Sequence, residues 1–356
     1  MTETVEGSGG AGSVGEAPVG EARVDRPEAL VGILVVDKPV GPTSHDIVAL
    51  VRRLSGMRRV GHGGTLDPFA RGVLPIFIGA ATRVVEYHLG DVKSYRATVV
   101  FGASSTTDDL EGEVHPAQGP VPERAAVEAA LLEFRGTIRQ RPPAFSAVKV
   151  AGRRAYRAAR AGEPIELPER TVTIERLELL SWDESDPTRP AAELEITCSA
   201  GTYVRSLARD VGERMSSGAY LAALVRTASG AFQLEDAHEL DAVRTHAAEG
   251  ALSDLLLPID HGLERFPAHR LTEAEVAAVA KGQIVRPSTK LPAAPGAPVE
   301  ADGPRRLRLR DDADRLVAIA QIVGGRLHPE KVFVGPDPRS AGVAELVSGP
   351  RSGERP

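Results

Sequence analysis

One short stretch of the chain combines a single carboxylate with residues that hold a loop rigid. It covers residues 61–75 and reads Gly-His-Gly-Gly-Thr-Leu-Asp-Pro-Phe-Ala-Arg-Gly-Val-Leu-Pro, with Asp67 as its only acidic residue. Glycine allows positive φ and close approach of a ligand to the backbone, and proline fixes φ. A carboxylate held in this way could act as a nucleophile or as an acid/base group. A tight turn, in which Asp67 only caps a helix or bonds its own backbone, is the alternative.

The stretch around Asp67 resembles the catalytic motif of the TruB family of tRNA pseudouridine synthases. The matching residues are Gly61-His62, Gly64 to Pro68, Ala70 and Gly72 to Pro75. The resemblance implies that Asp67 is the essential nucleophile. It also implies that His62 occupies the space left by a base flipped out of the RNA. Gly63 departs from the pattern, because many family members have threonine there.

Three further motifs resemble the same family, in the same order along the chain. They begin at Lys38, at Tyr95 and at Gly201. The resemblance implies that Lys38 supports the active site, that Tyr95 lies against the target base and that Arg205 pairs with the catalytic aspartate. Each residue also has a simpler interpretation. Lys38 could be a solvent-exposed lysine in a turn, Tyr95 a half-buried strand tyrosine, and Arg205 an ordinary residue at a helix start.

Two more pocket residues are implied by register within these motifs. Tyr203 belongs to the Gly-Thr-Tyr-Val-Arg motif of residues 201–205. Leu224 belongs to residues 221–232, which resemble the last catalytic-domain motif of the family. Both are expected to line the base pocket. An ordinary helix-start residue is the alternative for Tyr203, and a core leucine for Leu224.

Residues 135–160 are strongly basic, with eight lysine or arginine residues and no acidic residue. Phe145 and Tyr156 lie among them, and Pro142-Pro143 interrupts any helix. Basic and aromatic side chains together suit an RNA backbone and exposed bases, whereas a solvated basic face is the alternative. The stretch resembles the RNA-gripping thumb insertion of the family. The substrate contacts that this implies are Arg141, Lys149, Arg153 and Arg154.

Hydrophobic periodicity outlines the elements that must position these residues. It predicts strands at 32–36, 95–101, 171–180 and 193–198, and helices after Ser44, over 123–134 and after residue 203. The composition changes near residue 263. Beyond it, a helix over 271–282 with a capping box at Thr272 and Glu275, and strands at 307–309 and 316–323, are predicted.

The fold class predicted from these elements and from the resemblance is α+β. A pseudouridine synthase catalytic domain with a mixed, mainly antiparallel sheet is expected at 29–262, with 135–160 as its inserted RNA-gripping segment. A small β-rich PUA-like domain is expected at 263–335. Residues 1–28 are expected to be a disordered acidic tail and residues 336–356 a disordered tail.

Composition narrows the class of protein further. The single cysteine, Cys198, excludes a disulfide framework and a multi-thiolate metal site, and it fits a reducing cytosol. No apolar run is long enough to span a membrane, and no signal pattern is present. The net charge of −6 argues against nucleic acid, but residues 1–28 hold six acidic and two basic residues and therefore contribute −4 of it.

Together, the motifs predict isomerisation of uridine 55 in the T loop of tRNA to pseudouridine. The expected partner is the T arm of tRNA, and the expected enzyme is a cytoplasmic monomer without cofactor or metal. Whether Asp67 attacks the sugar or the base ring cannot be read from the sequence. Two alternatives are a non-catalytic tRNA-binding or chaperone protein of the same fold, and a hydrolase that uses Asp67 and His62 as an acid/base pair.

Overall fold

The computed structural model describes residues 30–146, 148–150, 153–163, 165–292 and 305–334. For residues 149, 150, 154, 157 and 160 it describes the backbone alone. Both predicted tails, 1–28 and 336–356, lie outside the described residues, as does most of the loop that precedes the strand predicted at 307–309. The domain boundaries drawn above remain predictions.

A mixed sheet of 11 strands forms the centre of the described part. Its first half contains β1 (Gly32–Lys38), β2 (Val60–His62), β3 (Arg71–Ile78), β4 (Lys93–Phe101) and β7 (Gly136–Gln140). Its second half contains β10 (Arg170–Asp183), β11 (Ala191–Cys198), β12 (Ala219–Ser229), β13 (Phe232–Gln233), β14 (His238–Glu239) and β15 (Leu256–Leu257). The main path runs β14-β1-β3-β12-β4-β11-β10-β7, and most neighbours are antiparallel.

Smaller sheets and seven helices complete the described chain. The strands are β5 (Ala103–Ser105), β6 (Val114–Pro116), β8 (Lys149–Val150), β9 (Arg153–Arg154), β16 (Ala268–Arg270), β17 (Arg306–Arg310), β18 (Leu316–Val323) and β19 (Arg326–Val332). The helices are α1 (Ser44–Ser55), α2 (Val85–His88), α3 (Arg124–Glu133), α4 (Ala155–Arg160), α5 (Val204–Arg214), α6 (Leu240–Ala248) and α7 (Glu273–Ala280). Short 3-10 helices cover Gly79–Val84 and Leu252–Leu255.

Burial on both faces explains why residues 33–36 of β1 are all apolar. Leu34 and Val36 belong to the larger core on one face of the sheet, where α1 also packs. Ile33 and Val35 belong to a second core on the other face, together with Phe77. Because successive side chains of a strand point to opposite faces, a strand buried on both faces needs a continuous apolar run.

The helix predicted after Ser44 begins at Ser44, and Thr43 caps it. Thr43 Oγ1 accepts from the backbone N–H of Asp46 at 3.1 Å, and Asp46 Oδ2 accepts from the backbone N–H of Thr43 at 2.9 Å. This capping box fixes the start of α1 directly after the turn that follows Lys38. Ile47 and Val51 then pack into the larger core. The turn between β1 and α1 is therefore held from both sides.

The predicted fold class is confirmed, because a mainly antiparallel mixed sheet is followed by a separate small sheet. β16, β17, β18 and β19 form that four-stranded sheet, and α7 packs near it. The predicted capping box is present at the start of α7, where Thr272 Oγ1 accepts from the backbone N–H of Glu275. α7 ends at Ala280, two residues before the predicted stop at Gly282.

Candidate active site

A cavity of about 450 Å³ opens on one face of the large sheet. The loop between β2 and β3, residues 63–70, forms one wall and is called the Asp67 loop below. The start of β4 together with β12 forms the floor. The turn after β11 and the start of α5 form the opposite wall. Phe145 and Ser146, from the segment between β7 and α4, complete the lining together with Tyr156 on α4. The cavity therefore collects side chains from five distant parts of the sequence.

The Asp67 loop is fixed by hydrogen bonds to the turn before α1. Ser44 Oγ accepts from the backbone N–H of Leu66 at 2.8 Å and donates to its carbonyl oxygen at 3.0 Å. The backbone N–H of Gly41 donates to the carbonyl oxygen of Pro68 at 2.8 Å. The rigidity expected from glycine and proline is thus reinforced by a second segment of the chain.

Lys38 lies beneath this loop and is fully buried. Its ammonium donates to the carbonyl oxygens of Pro39 at 2.8 Å and Pro68 at 3.3 Å. Burial lowers the pKa of Lys38 to about 8, although the nearby Asp67 carboxylate opposes the shift. The interpretation of Lys38 as a solvent-exposed lysine in a turn is therefore wrong. Direct contact with substrate does not fit this burial either, whereas support of the Asp67 loop does.

Arg205, near the start of α5, lies against the Asp67 carboxylate. Its Nη2 donates to Asp67 Oδ1 at 3.3 Å, and its Nε lies 3.0 Å from Oδ2. Nη1 lies 3.3 Å from Oδ2 of the buried Asp109. The guanidinium also donates to the carbonyl oxygens of Thr107 and Phe145, at 3.2 and 3.0 Å. One arginine therefore connects two carboxylates with each other, and also with the loop after β5 and the segment after β7.

Two opposing effects set the charge state of Asp67. Burial raises the pKa of its carboxyl group, and the Arg205 guanidinium opposes that shift. Asp109 raises the pKa again because a second negative charge lies nearby. The result is a pKa above the ordinary value, so Arg205 moderates the effect of burial but does not reverse it. The Asp67 side chain remains 34% exposed and can meet a ligand in the cavity.

Sheet register brings Tyr95 and Leu224 to the floor of the cavity. Tyr95 on β4 pairs with Arg226 on β12, and Leu224 pairs with Ala97 two residues further along. Both Tyr95 and Leu224 line the cavity, and Leu224 also belongs to the larger core. Burial raises the pKa of the Tyr95 hydroxyl, while the positive charge of Arg226 opposes that shift.

Arg226 is a site residue that the sequence reasoning did not identify. It is 1% exposed and donates to the carbonyl oxygens of Val73, Thr65 and Gly64, at 2.7, 3.3 and 3.1 Å. It therefore holds the first half of the Asp67 loop, as Lys38 holds the second. Its position as the only charged residue in the apolar run of 221–232 was a signal that could have revealed it.

Tyr203 lines the cavity opposite the Asp67 loop. Its backbone N–H donates to Gln140 Oε1 at 2.8 Å, and its carbonyl oxygen accepts from Gln140 Nε2 at 3.1 Å. The Arg170 guanidinium lies 5.2 Å from the centre of its ring. Gln140 is fully buried at the end of β7, so this strand fixes the entry to α5.

His62 lies next to the Asp67 loop without lining the cavity. Its Nδ1 accepts from the backbone N–H of Gly64 at 3.2 Å, and burial lowers its pKa. No hydrogen bond or ion pair between His62 and Asp67 is present in the described part of the chain. An acid/base pair of the two is therefore not supported. Gly63 does line the cavity, and a Cβ atom there would lie 3.0 Å from the Phe77 ring.

Several arginines of the 135–160 stretch pair with glutamates that follow it. Arg139 Nε lies 2.9 Å from Glu169, and Arg153 Nη2 lies 2.8 Å from Glu163. Arg141 lies 3.5 Å from Glu166, outside the cavity lining. All these pairs are exposed and therefore weak. The side chains of Lys149 and Arg154, the other predicted contacts, lie outside the described residues.

The described residues offer neither a metal-binding cluster nor a membrane-spanning helix. Within those residues, no group of three or more His, Cys, Asp or Glu side chains could hold a metal ion. No helix in the same residues is long and apolar enough to cross a membrane.

Comparison with known proteins agrees with this geometry. The TruB family pseudouridylate synthase N-terminal domain matches residues 52–204, and the tRNA pseudouridylate synthase B C-terminal domain matches residues 205–264. The tRNA pseudouridine synthase B of Geobacillus kaustophilus is 44% identical over 72% of this chain and 90% of its own length. That of Synechococcus sp. is 43% identical over 86% of this chain and 98% of its own length.

A solved structure shares the fold at lower identity. It is a chain of an H/ACA ribonucleoprotein bound to a substrate RNA containing 2′-deoxyuridine, with a TM-score of 0.65 and 26% identity. The match covers 87% of each chain. The chain described here therefore belongs to the TruB family of tRNA pseudouridine synthases, which are RNA-modifying isomerases.

Proposed function

We propose that this enzyme isomerises uridine 55 in the T loop of tRNA, with Asp67 as the nucleophile. The observation that carries the proposal is the Asp67 carboxylate, which faces a cavity and contacts Arg205 through both oxygens. The cavity lies in the size range of small-ligand pockets, and a nucleoside belongs to that class. The target base must leave the RNA stack to reach it.

The residues around Asp67 suit a carboxylate that must attack without a cofactor. Arg205 favours the ionised, nucleophilic form. Lys38 and Arg226 hold the carbonyl oxygens on either side of Asp67, and so limit its movement. Tyr95 and Leu224 offer an aromatic and an aliphatic surface to a flipped base. We assign Asp67 the role of nucleophile and Arg205 that of its ion partner.

The basic segment 135–160 supplies the tRNA contact in this proposal. Its ion pairs with Glu163, Glu166 and Glu169 are exposed, so phosphate groups can replace the glutamates at small cost. The similarity to a protein solved with a substrate RNA supports an RNA partner. We propose the T arm of tRNA as the bound element, a single chain as the active unit and a small C-terminal domain beyond residue 262.

The test is Asp67→Asn, assayed on unmodified tRNA by mapping pseudouridine at each position. The amide keeps the shape of the carboxylate and loses its charge and nucleophilicity. We expect no isomerisation and nearly unchanged tRNA binding. Asp241→Asn is the matched control, because Asp241 is 91% exposed on α6.

Two outcomes would contradict the proposal. Substantial activity in Asp67→Asn would refute the assignment of Asp67 as the nucleophile. Pseudouridine formed by the wild-type enzyme only outside the T loop would refute the substrate position.

A further inference from the structure

Lys93 is a buried cation on the floor of the cavity that the roles assigned so far do not use. It is the first residue of β4 and lies two residues before Tyr95, so the two side chains point to the same face of the sheet. Lys93 is 7% exposed and lines the cavity. Its ammonium donates to the carbonyl oxygens of Leu89, at 3.2 Å, and Asp91.

No carboxylate lies within ion-pair distance of Lys93 in the described part of the chain. The nearest candidate, Asp91, is engaged by His88 at 3.1 Å and by Arg265 at 3.4 Å. Cys198 lies opposite Lys93 on β11, and burial raises the pKa of this thiol to about 11, so it is neutral. Burial also lowers the pKa of Lys93, although the negative charge of Asp91 opposes the shift.

The two sides of the cavity therefore differ in charge. At the Asp67 wall, two carboxylates share the Arg205 guanidinium. At the floor, Lys93 and Arg226 are both buried and bonded to neutral carbonyl oxygens. A ligand that carries negative charge away from Asp67 would find its complement at the floor. The bonds to Leu89 and Asp91 use two of the three N–H donors of the Lys93 ammonium.

Pseudouridine formation creates such a charge, whichever atom Asp67 attacks. The bond between N1 of uracil and C1′ of ribose breaks, and its electron pair stays on the base, spread over O2 and O4. Carbon C5 then forms the new bond to C1′, the C5 proton leaves and N1 takes up a proton. Nothing is oxidised or reduced. A cation fixed in a dry cavity stabilises this transient anion more than water would.

We propose that the Lys93 ammonium binds a carbonyl oxygen of uracil and stabilises the negative charge of the detached base. This inference rests on the proposed function of the cavity. The competing role for Lys93 is structural, because its bonds to Leu89 and Asp91 hold a turn whose Leu89 also lines the cavity. The two roles differ in one respect: only the first depends on how easily the base carries negative charge.

The test compares two substrates, tRNA with uridine and tRNA with 5-fluorouridine at the target position. Fluorine withdraws electrons and makes the base a better anion, so a lost cation should matter less. The variants are Lys93→Met, and Lys93→Gln, whose amide can still donate to the turn. The measurement is the single-turnover rate at which the target nucleoside is consumed, with tRNA binding measured in parallel.

We expect Lys93→Met and Lys93→Gln to lose about 100-fold in rate on uridine, the usual effect of removing one such stabilising donor. The loss on 5-fluorouridine should be at least several-fold smaller. Lys281→Met, at an exposed position after α7, should match wild type on both substrates.

An equal loss on the two substrates, or a wild-type rate in Lys93→Gln, would overturn the inference. If Lys93→Met does not fold, Lys93→Gln alone decides. Failure of the wild-type enzyme to modify uridine would instead refute the proposed function.

Discussion

Replacing Arg205 with methionine probes the electrostatic arrangement around Asp67. Methionine is also long and unbranched, but it lacks the charge and the donors of arginine. The change leaves Asp67 and Asp109 without a cation between them, and the carbonyl oxygens of Thr107 and Phe145 without these donors. We expect Asp67 to take up a proton at neutral pH, which makes it a poor nucleophile.

The structure sets the size of this effect. Removing one partner of a buried ion pair costs about 3–5 kcal/mol. The Asp109 side chain is 4% exposed and bears this cost fully, whereas Asp67 is 34% exposed and solvent screens its share. We therefore expect a loss of about 3 kcal/mol in unfolding free energy at neutral pH. A comparable loss of transition-state stabilisation would lower the single-turnover rate about 100-fold.

The sign of the pH dependence follows from the raised pKa of Asp67. The folded enzyme binds this proton more tightly than the unfolded chain, so stability is lost as pH rises through the folded pKa. Arg205 opposes the shift, and removing it raises the pKa further. The stability deficit of Arg205→Met should therefore grow as pH rises from the folded-state pKa of Asp67 in the wild type to its higher pKa in the variant. Its activity should partly return at high pH, where Asp67 becomes ionised.

The assay is the single-turnover rate at saturating tRNA, measured against pH together with urea unfolding. Arg205→Lys should recover part of the activity, because an ammonium keeps the charge and lacks the planar fork. Arg214→Met is the matched control, since Arg214 lies on the same helix and is 56% exposed. A normal, pH-independent rate in Arg205→Met would refute the assignment of Arg205 as the ion partner of Asp67. The remaining role for Arg205 would then be contact with a phosphate of the tRNA.

Two further predictions concern the Asp67 loop and the basic segment. Gly72→Ala should lower the free energy of unfolding, measured in urea, by at least about 2 kcal/mol. The new Cβ would lie 2.2 Å from the Arg226 carbonyl oxygen, and the backbone φ of 107° disfavours alanine. Gly250→Ala is the control for backbone strain without a clash, because Gly250 has a φ of 72° and no atom within 4 Å of its Cβ position. Changing Arg153, Arg154 and Arg157 to Glu should weaken tRNA binding and reduce its salt dependence. An unchanged salt slope would mean that RNA does not touch this segment.

Local pattern was enough for several elements of the fold, although it did not predict β3 or β12. The strand predicted at 316–323 and the capping box predicted at Thr272 lie where the sequence indicates. These features depend on side-chain period and on hydrogen bonds within four residues, which a sequence displays directly. The resemblance supplied Tyr95 and Arg205 as candidates, and the structure brings both to the cavity with Asp67.

Tertiary structure alone decided which charged groups share the cavity. Lys93 and Arg226 meet the site through the strand order β3-β12-β4-β11 and its register, and Asp109 through its bridge to Leu221 of β12. No local pattern encodes these pairings. The lack of acidic residues within 135–160 likewise gave no sign that Glu163 and Glu169, beyond its end, fold back onto its arginines. The alternation of side chains along a strand determines which face of the sheet each one takes. Its contact partner depends on which strand lies alongside, and packing of the whole sheet fixes that order.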